Sequence, residues 1–167
     1  MGFVAIGLGS NLGDRRQNLT NAIVALARRV GDIIALSSLY ENEPVGFESE
    51  NNFLNAALIL RTDMPAMELL DTTRLIEIEM GRVEKSDGAY HDRIIDIDLL
   101  MVNDSVCDTP RLTLPHPRMH LRRFVMEPLA EIAPDLRHPV LGKRMDELCD
   151  KLVAGRAGMD ENDKKNR

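Results

Sequence analysis

From Ile94 to Val102 the chain is β-branched and apolar on both alternating faces, interrupted only by Asp96 and Asp98. Such a run reads as a strand covered from two sides, so the chain must build layers around a sheet. Successive strand side chains point to opposite faces, which puts Asp96 and Asp98 on the same face. Two residues of rise separate them by about 6.7 Å. At that spacing two bare carboxylates repel by about 2.5 kcal/mol at an effective dielectric of about 20. Each also loses hydration in an otherwise apolar run. A divalent cation between them would compensate. Mg²⁺ is the natural choice, because it is held by hard oxygen ligands together with substrate phosphates. The alternative is a wet strand end, where Arg93 and other bases match the two charges.

At 167 residues the chain is long enough for one domain with a real core. Residues 1–154 read as that domain. Residues 155–167 are charged and poor in apolar side chains, and a disordered tail is expected there. A net charge of −6 argues against nucleic-acid binding driven by overall charge. There is no run of 18 apolar residues and no basic-then-apolar leader, so neither a membrane span nor a signal peptide is expected. Cys107 and Cys149 lack metal-like spacing and read as reduced thiols, the pattern of a cytoplasmic protein.

The spacing predicts a strand over Phe3–Leu8, then a turn at Gly9-Ser10-Asn11-Leu12-Gly13. Gly7-x-Gly9-x-x-x-Gly13 is one residue too long for a dinucleotide-binding fingerprint. Asp14 followed by Gln17 reads as a capping box, opening a helix with Leu19, Ala22, Ile23, Leu26, Ala27 and Val30 on its apolar face. Gly31 ends it. Strands are expected over Ile33–Tyr40 and Phe53–Leu60, separated by a polar loop over 41–52. Pro65 starts a second helix with a Leu69, Thr73, Ile76, Met80 stripe, closed by Gly81. A polar connection over 82–92 then leads to the Asp96/Asp98 strand. The order strand, helix, strand, strand, helix, strand is that of a ferredoxin-like βαββαβ sandwich, an α+β fold with an antiparallel sheet. The last strand is expected in the middle of that sheet. A helical turn over Met119–Val125, a short helix from Pro128 and a small helix over Asp146–Val153 complete the chain.

Several motifs occur together and in order: Gly7-Leu8-Gly9-Ser10-Asn11-Leu12-Gly13, Pro44-Val45-Gly46, Phe53-Leu54-Asn55-Ala56-Ala57, Glu77 before Gly81-Arg82-Val83, Arg93-Ile94-Ile95-Asp96-Ile97-Asp98-Leu99-Leu100, Leu112-Thr113-Leu114-Pro115-His116, Arg122 with Phe124, and Pro128 to Pro134. Over Val4–Pro134 the chain resembles the 6-hydroxymethyl-7,8-dihydropterin pyrophosphokinases of folate biosynthesis. The resemblance implies a pyrophosphokinase domain that moves the β,γ-pyrophosphoryl group of ATP to the hydroxymethyl oxygen of the pterin and releases AMP. It implies two Mg²⁺ ions, arriving with ATP and held by Asp96 and Asp98. It assigns Arg82, Lys85, Arg93 and His116 to the phosphates, and Glu77, Leu112 and Thr113 to the nucleotide pocket, the last two through backbone groups. Arg122 is implied as a further arginine of turnover. Asn55, Phe53 and Phe124, with backbone groups near Asn42, Pro44 and Val45, are implied as the pterin pocket. A flat heteroaromatic ring needs stacking faces, and its edge needs an amide that both donates and accepts. Arg93 can share the aspartates' site only from the loop, because in the strand its parity would turn it away. Whether Asp98 or water takes the hydroxyl proton is open.

The chain departs from the family pattern just before Arg93. Tyr90-His91-Asp92 stands where Trp-Gly-Pro is usual, and Tyr90 is the residue that can cover the pterin instead. Glu84 stands where a loop arginine is common, and Pro117 replaces a tyrosine. These changes bear on loop closure and ATP affinity more than on the reaction. The expected unit is a monomer in the cytoplasm, with no nucleic-acid or membrane partner. Fold alone would also suit a ligand-binding regulatory module or an inactive pterin-binding relative.

Overall fold

The computed structural model describes residues 2–45, 47–82 and 92–165, with side chains described as far as Gly155. Its first strand, β1 (Gly2–Ser10), is followed by helix α1 (Arg15–Arg29). The helix starts where predicted, because the Asp14 carboxylate accepts from the Gln17 N–H at 3.0 Å. The reciprocal half of the box is replaced: the Gln17 amide donates to Asn21 at 2.8 Å. Leu19, Ala22 and Leu26 are the buried face. Gly31 is needed for space, since a Cβ there would lie 2.1 Å from the Arg61 carbonyl oxygen.

The strand expected over Ile33–Tyr40 is two strands, β2 (Asp32–Leu36) and β3 (Tyr40–Asn42). Ser37 causes the break. Its hydroxyl accepts from the Ala57 N–H at 2.9 Å and donates to the Ser38 carbonyl at 2.8 Å, so a side chain takes up a ladder bond. Both strands pair antiparallel with β4 (Phe53–Thr62). Helix α2 (Ala66–Glu79) buries Leu69, Leu70, Thr73, Ile76 and Glu77. Gly81, at φ +101°, turns the chain so that the Arg82 N–H reaches back to the Glu77 carbonyl at 3.0 Å.

Strand β5 (Asp96–Val102) is shorter than the predicted run, and it lies at a sheet edge rather than in the middle. The main sheet runs β2-β4-β1-β5 and is antiparallel throughout, giving a mixed α/β architecture. An apolar pattern on both faces reports cover on both faces, not a central place. Ile97, Leu99 and Val102 join the core under α1 and α2. Leu100 and Met101 join a second core on the opposite side of the sheet. Ala5 pairs with Met101 and Ile6 with Leu99, so Leu100 is an extra, bulged residue. The carbonyl of Leu100 accepts from the His116 N–H at 2.8 Å, which pins the following loop to the edge.

That loop carries a small ribbon, β6 (Cys107–Asp108) and β7 (Thr113–Leu114). After a 3₁₀ turn over Met119–Leu121, α3 (Arg123–Ile132) begins five residues before the predicted start at Pro128 and contains that proline. Pro128 has no N–H for the Phe124 carbonyl. Burial of Val125, Met126, Pro128 and Leu129 against the second core offsets the missing bond. The last helix, α4 (Met145–Lys165), runs past the expected end at Val153 and through most of the segment expected to be disordered. Ala154, Arg156 and Ala157 favour helix there, and Gly155 and Gly158 cost about 1 kcal/mol each. No helix of the described residues is long and apolar enough to cross a membrane.

Candidate active site

Two cavities open beside the start of β5, and both are lined by Asp96 and Asp98. The first, about 240 Å³, lies toward α3. The β1 backbone at Gly7 to Gly9 lies against it, with Phe53 and Asn55 of β4 beside it and Arg122 and Phe124 opposite. Gly9 is required by close approach: a Cβ there would lie 3.0 Å from Asn55 Oδ1 and 3.5 Å from the Phe53 ring. The rings are braced by cations. The guanidinium of Arg93 sits 5.9 Å from the Phe53 centroid, and that of Arg122 sits 5.6 Å from the Phe124 centroid.

Asn55 is buried, and its amide nitrogen donates to Asn42 Oδ1 and to the Tyr40 carbonyl at 3.5 Å. The amide predicted to present a donor and an acceptor thus has its donor side engaged within the protein, with Oδ1 lying against Gly9. Asn42 and Val45 line this cavity, while Pro44 is not among its lining residues. Phe47 does line it, stacked edge-on against Phe53 at 6.1 Å and 87°, a contact that sequence reasoning missed. Phe47 is one of only four phenylalanines in a chain without tryptophan, and it follows the Pro44-Val45-Gly46 motif directly. Those two facts were the available signal. Arg118 and Leu121 were also missed.

The second cavity, about 300 Å³, is lined by Glu77 and Arg82 on one side and by Leu112, Thr113 and His116 on the other. Arg74 and Arg111 add positive charge that the sequence did not single out. Both backbone groups of Leu112 are already engaged: its N–H donates to Thr109 Oγ1 at 3.0 Å, and its carbonyl accepts from the Thr109 N–H at 3.0 Å and from Oγ1 at 2.9 Å. A nucleotide contact through the Leu112 backbone, as predicted, would have to displace Thr109. Lys85, Tyr90 and Glu84 lie outside the described residues.

Between the cavities the charges form a chain. The Glu77 carboxylate accepts from Arg82 and from the Ile97 N–H at 3.2 Å. Arg82 also donates to Asp96 Oδ1 at 3.0 Å, and Arg93 donates to Oδ2 of the same aspartate at 3.2 Å. Arg93 lies before β5, which is how it reaches Asp96. Asp96 is therefore matched by arginines, as the alternative to a cation foresaw. Asp98 is not balanced in the same way. Burial first, then the charges of Asp96 and Glu77, hold its carboxyl above the usual range, against the smaller pull of Arg122 and Arg93. Glu77 is pushed up to about 7, chiefly by burial; Arg82 opposes the rise and Asp96 adds to it. His116 is pulled down to about 4, chiefly by burial and then by Arg122. Its Nδ1 accepts from the Arg118 N–H at 3.2 Å, which leaves the proton of the neutral ring on Nε2.

The chemistry this arrangement suits has known counterparts. Residues 5–134 match the family model described as 7,8-dihydro-6-hydroxymethylpterin-pyrophosphokinase. A 2-amino-4-hydroxy-6-hydroxymethyldihydropteridine pyrophosphokinase of Porphyromonas gingivalis is 49% identical over 142 residues, covering 83% of this chain and 95% of the relative. The enzyme of the same name from Bacillus subtilis is 36% identical over 157 residues, covering 93% of each chain. Among solved structures, the wild-type HPPK-DHPS of Plasmodium falciparum with SDX-DHP superposes with a TM-score of 0.72 at 16% identity. That match covers 92% of this chain but 44% of the other, so it speaks for the fold, and this chain spans under half of the longer protein. The match over residues 5–134 and the two bacterial relatives together show that the chain belongs to the 7,8-dihydro-6-hydroxymethylpterin-pyrophosphokinase family.

Proposed function

We propose that the chain's pyrophosphokinase activity in folate biosynthesis is carried by two half-sites that meet at Asp96 and Asp98. The observation that carries this reading is that both cavities share these two aspartates. The cavity with aromatic faces and the Asn55 amide takes the flat ring of 6-hydroxymethyl-7,8-dihydropterin. The cavity with Arg82, Arg74, Arg111 and His116 takes ATP. The hydroxymethyl oxygen and the β-phosphorus then face each other across the aspartates, and the reaction releases AMP.

The donor set fits Mg²⁺. Two carboxylates share one strand face, and the burial of Asp98 leaves it short of positive charge. Asp96 and Asp98 would hold the metal, with two ions proposed, and bound Mg²⁺ supplies charge neutralisation on the phosphate oxygens. The chain's own residues do the rest. Arg82 and Arg93, now bonded to Asp96, would be released to bond phosphate oxygens once that carboxylate is otherwise engaged. His116 would donate from Nε2, the nitrogen that carries the proton of its neutral ring at pH 7. Arg122 covers Phe124 and closes the pterin side. Phosphoryl transfer needs in-line placement more than covalent help, and two half-sites meeting at the aspartates would supply it. The strand order, with α1 and α2 on one face, supports reading the fold as ferredoxin-like. A site assembled within one chain supports a monomer as the working unit, and ATP as donor supports action in the cytoplasm. The deciding assay is AMP release from ATP and Mg²⁺ with and without 6-hydroxymethyl-7,8-dihydropterin. Pterin-dependent AMP is expected, and its absence would remove the reading.

A further inference from the structure

Asp92 is the residue that stands where the family's usual proline precedes Arg93, and the mechanism above does not use it. Its two carboxylate oxygens are both occupied. Oδ1 accepts from the Asn11 amide at 2.7 Å, and Oδ2 accepts from the Asn51 amide at 3.1 Å. Ser49 first, then Asn11, Asn51 and the charge of Arg93, hold the Asp92 carboxyl below the usual range against the cost of burial. Asn11 is buried to 2% exposure at the end of β1. Its Oδ1 accepts from the Arg93 N–H at 2.7 Å, its own N–H donates to the Arg93 carbonyl at 3.0 Å, and its amide also donates to the Asn51 carbonyl at 3.3 Å. Three segments distant in sequence therefore meet at one carboxylate: the turn after β1, the stretch 47–52, and the entrance to β5.

The consequence lies in what those segments carry. The stretch 47–52 brings Phe47 to the first cavity, and the entrance to β5 brings Arg93 to both Phe53 and Asp96. We propose that Asp92 is a positioning residue that latches the 47–52 segment to the entrance of β5 through Asn11 and Asn51, so that Phe47 on the wall of the first cavity and Arg93 are set as one unit. A proline at this position would offer no side-chain acceptor and could not make these bonds. As a statement about substrate binding it rests on the pterin reading of that cavity. Charge-assisted hydrogen bonds are the strong ones, and each is lost when the carboxylate is removed.

The test is Asp92→Ala, with Asp92→Asn as the conservative variant, read in two ways. Hydrogen exchange on the free protein follows the amides of residues 47–52. Calorimetry follows 6-hydroxymethyl-7,8-dihydropterin binding in the presence of Mg²⁺ and a non-hydrolysable ATP analogue. The latch predicts that Asp92→Ala speeds exchange in this segment, weakens pterin binding about tenfold, and raises KM for pterin while KM for ATP moves less than about threefold. Asp92→Asn keeps one acceptor oxygen and falls between. If Asp92→Ala does not fold, Asn51→Ala removes one latch bond from an exposed side chain and carries the same test. Unchanged exchange overturns the proposal, and so does faster exchange with unchanged pterin affinity, which would mark a merely structural contact. Exchange is read without substrate, so it judges the latch even where wild-type protein makes no AMP, the separate result that would sink the pyrophosphokinase reading.

Discussion

Glu77→Gln should flatten the pH dependence of stability. Glu77 is 6% exposed and is pushed up to about 7 from an ordinary 4.5, with burial the largest cause. Between those values the folded protein keeps a proton that the unfolded chain has released. Unfolding then releases protons, so stability falls as pH rises through this window and levels off above it. The rise corresponds to about 3 kcal/mol at one pH unit per 1.36 kcal/mol. The charge network around Arg82 and Asp96 makes that an order-of-magnitude figure. Glutamine keeps an acceptor for the Ile97 N–H and removes the titration. The assay is urea unfolding at pH 5 and pH 8 for wild type and variant, with chelator present so that no metal biases the carboxylates. Asp92 and His116 also titrate, but Glu77 is not among the causes of their shifts and they drop out of the difference. Asp98 does not drop out, because Glu77 helps to hold its carboxyl up; removing that charge shrinks the variant's own loss and widens the difference in the same direction. Wild type should lose more stability than the variant between the two pH values, by about 2–3 kcal/mol. Equal losses would refute the argument that Glu77 is a buried acid whose charge is incompletely repaid by Arg82.

Two further outcomes follow from the half-sites. Gly9→Ala places a methyl group 3.0 Å from Asn55 Oδ1 and 3.5 Å from Phe53, so KM for the pterin should rise about tenfold with KM for ATP unchanged, measured by steady-state kinetics. His116→Ala should raise KM for ATP, because the Nε2 donor is lost. It should also remove a decline in stability as pH falls from 6.5 toward about 4, since wild type buries a neutral ring that the unfolded chain protonates; denaturant titrations across that range check it.

Much of this was legible in the chain itself, for reasons particular to each feature. Alternation alone puts Asp96 and Asp98 on one face, and the structure brings both to the two cavities. The need for Arg93 to lie ahead of the strand followed from the same parity, and its bond to Asp96 agrees. Where β5 sits in the sheet was not legible, because cover on both faces looks the same for a central strand and for an edge strand layered by helices. Ser37 splits a strand through a side-chain bond to Ala57, a residue twenty positions away, which no local pattern signals. Pro128 was read as a helix start by its usual preference, and tertiary burial of its neighbours overrode that preference. Phe47 and Arg111 stand outside regular elements and Arg74 on α2, and only the tertiary arrangement brings them to the cavities.

The claim at the centre is that two binding half-sites share Asp96 and Asp98, and Asp98→Asn tests it most directly. Amide for carboxylate keeps size while removing the charge. The pterin and a non-hydrolysable ATP analogue should still bind by calorimetry, the pterin with an affinity near that of wild type, while pterin-dependent AMP formation falls by at least about a hundredfold. An Asp98→Asn protein that forms AMP at the wild-type rate would contradict the account.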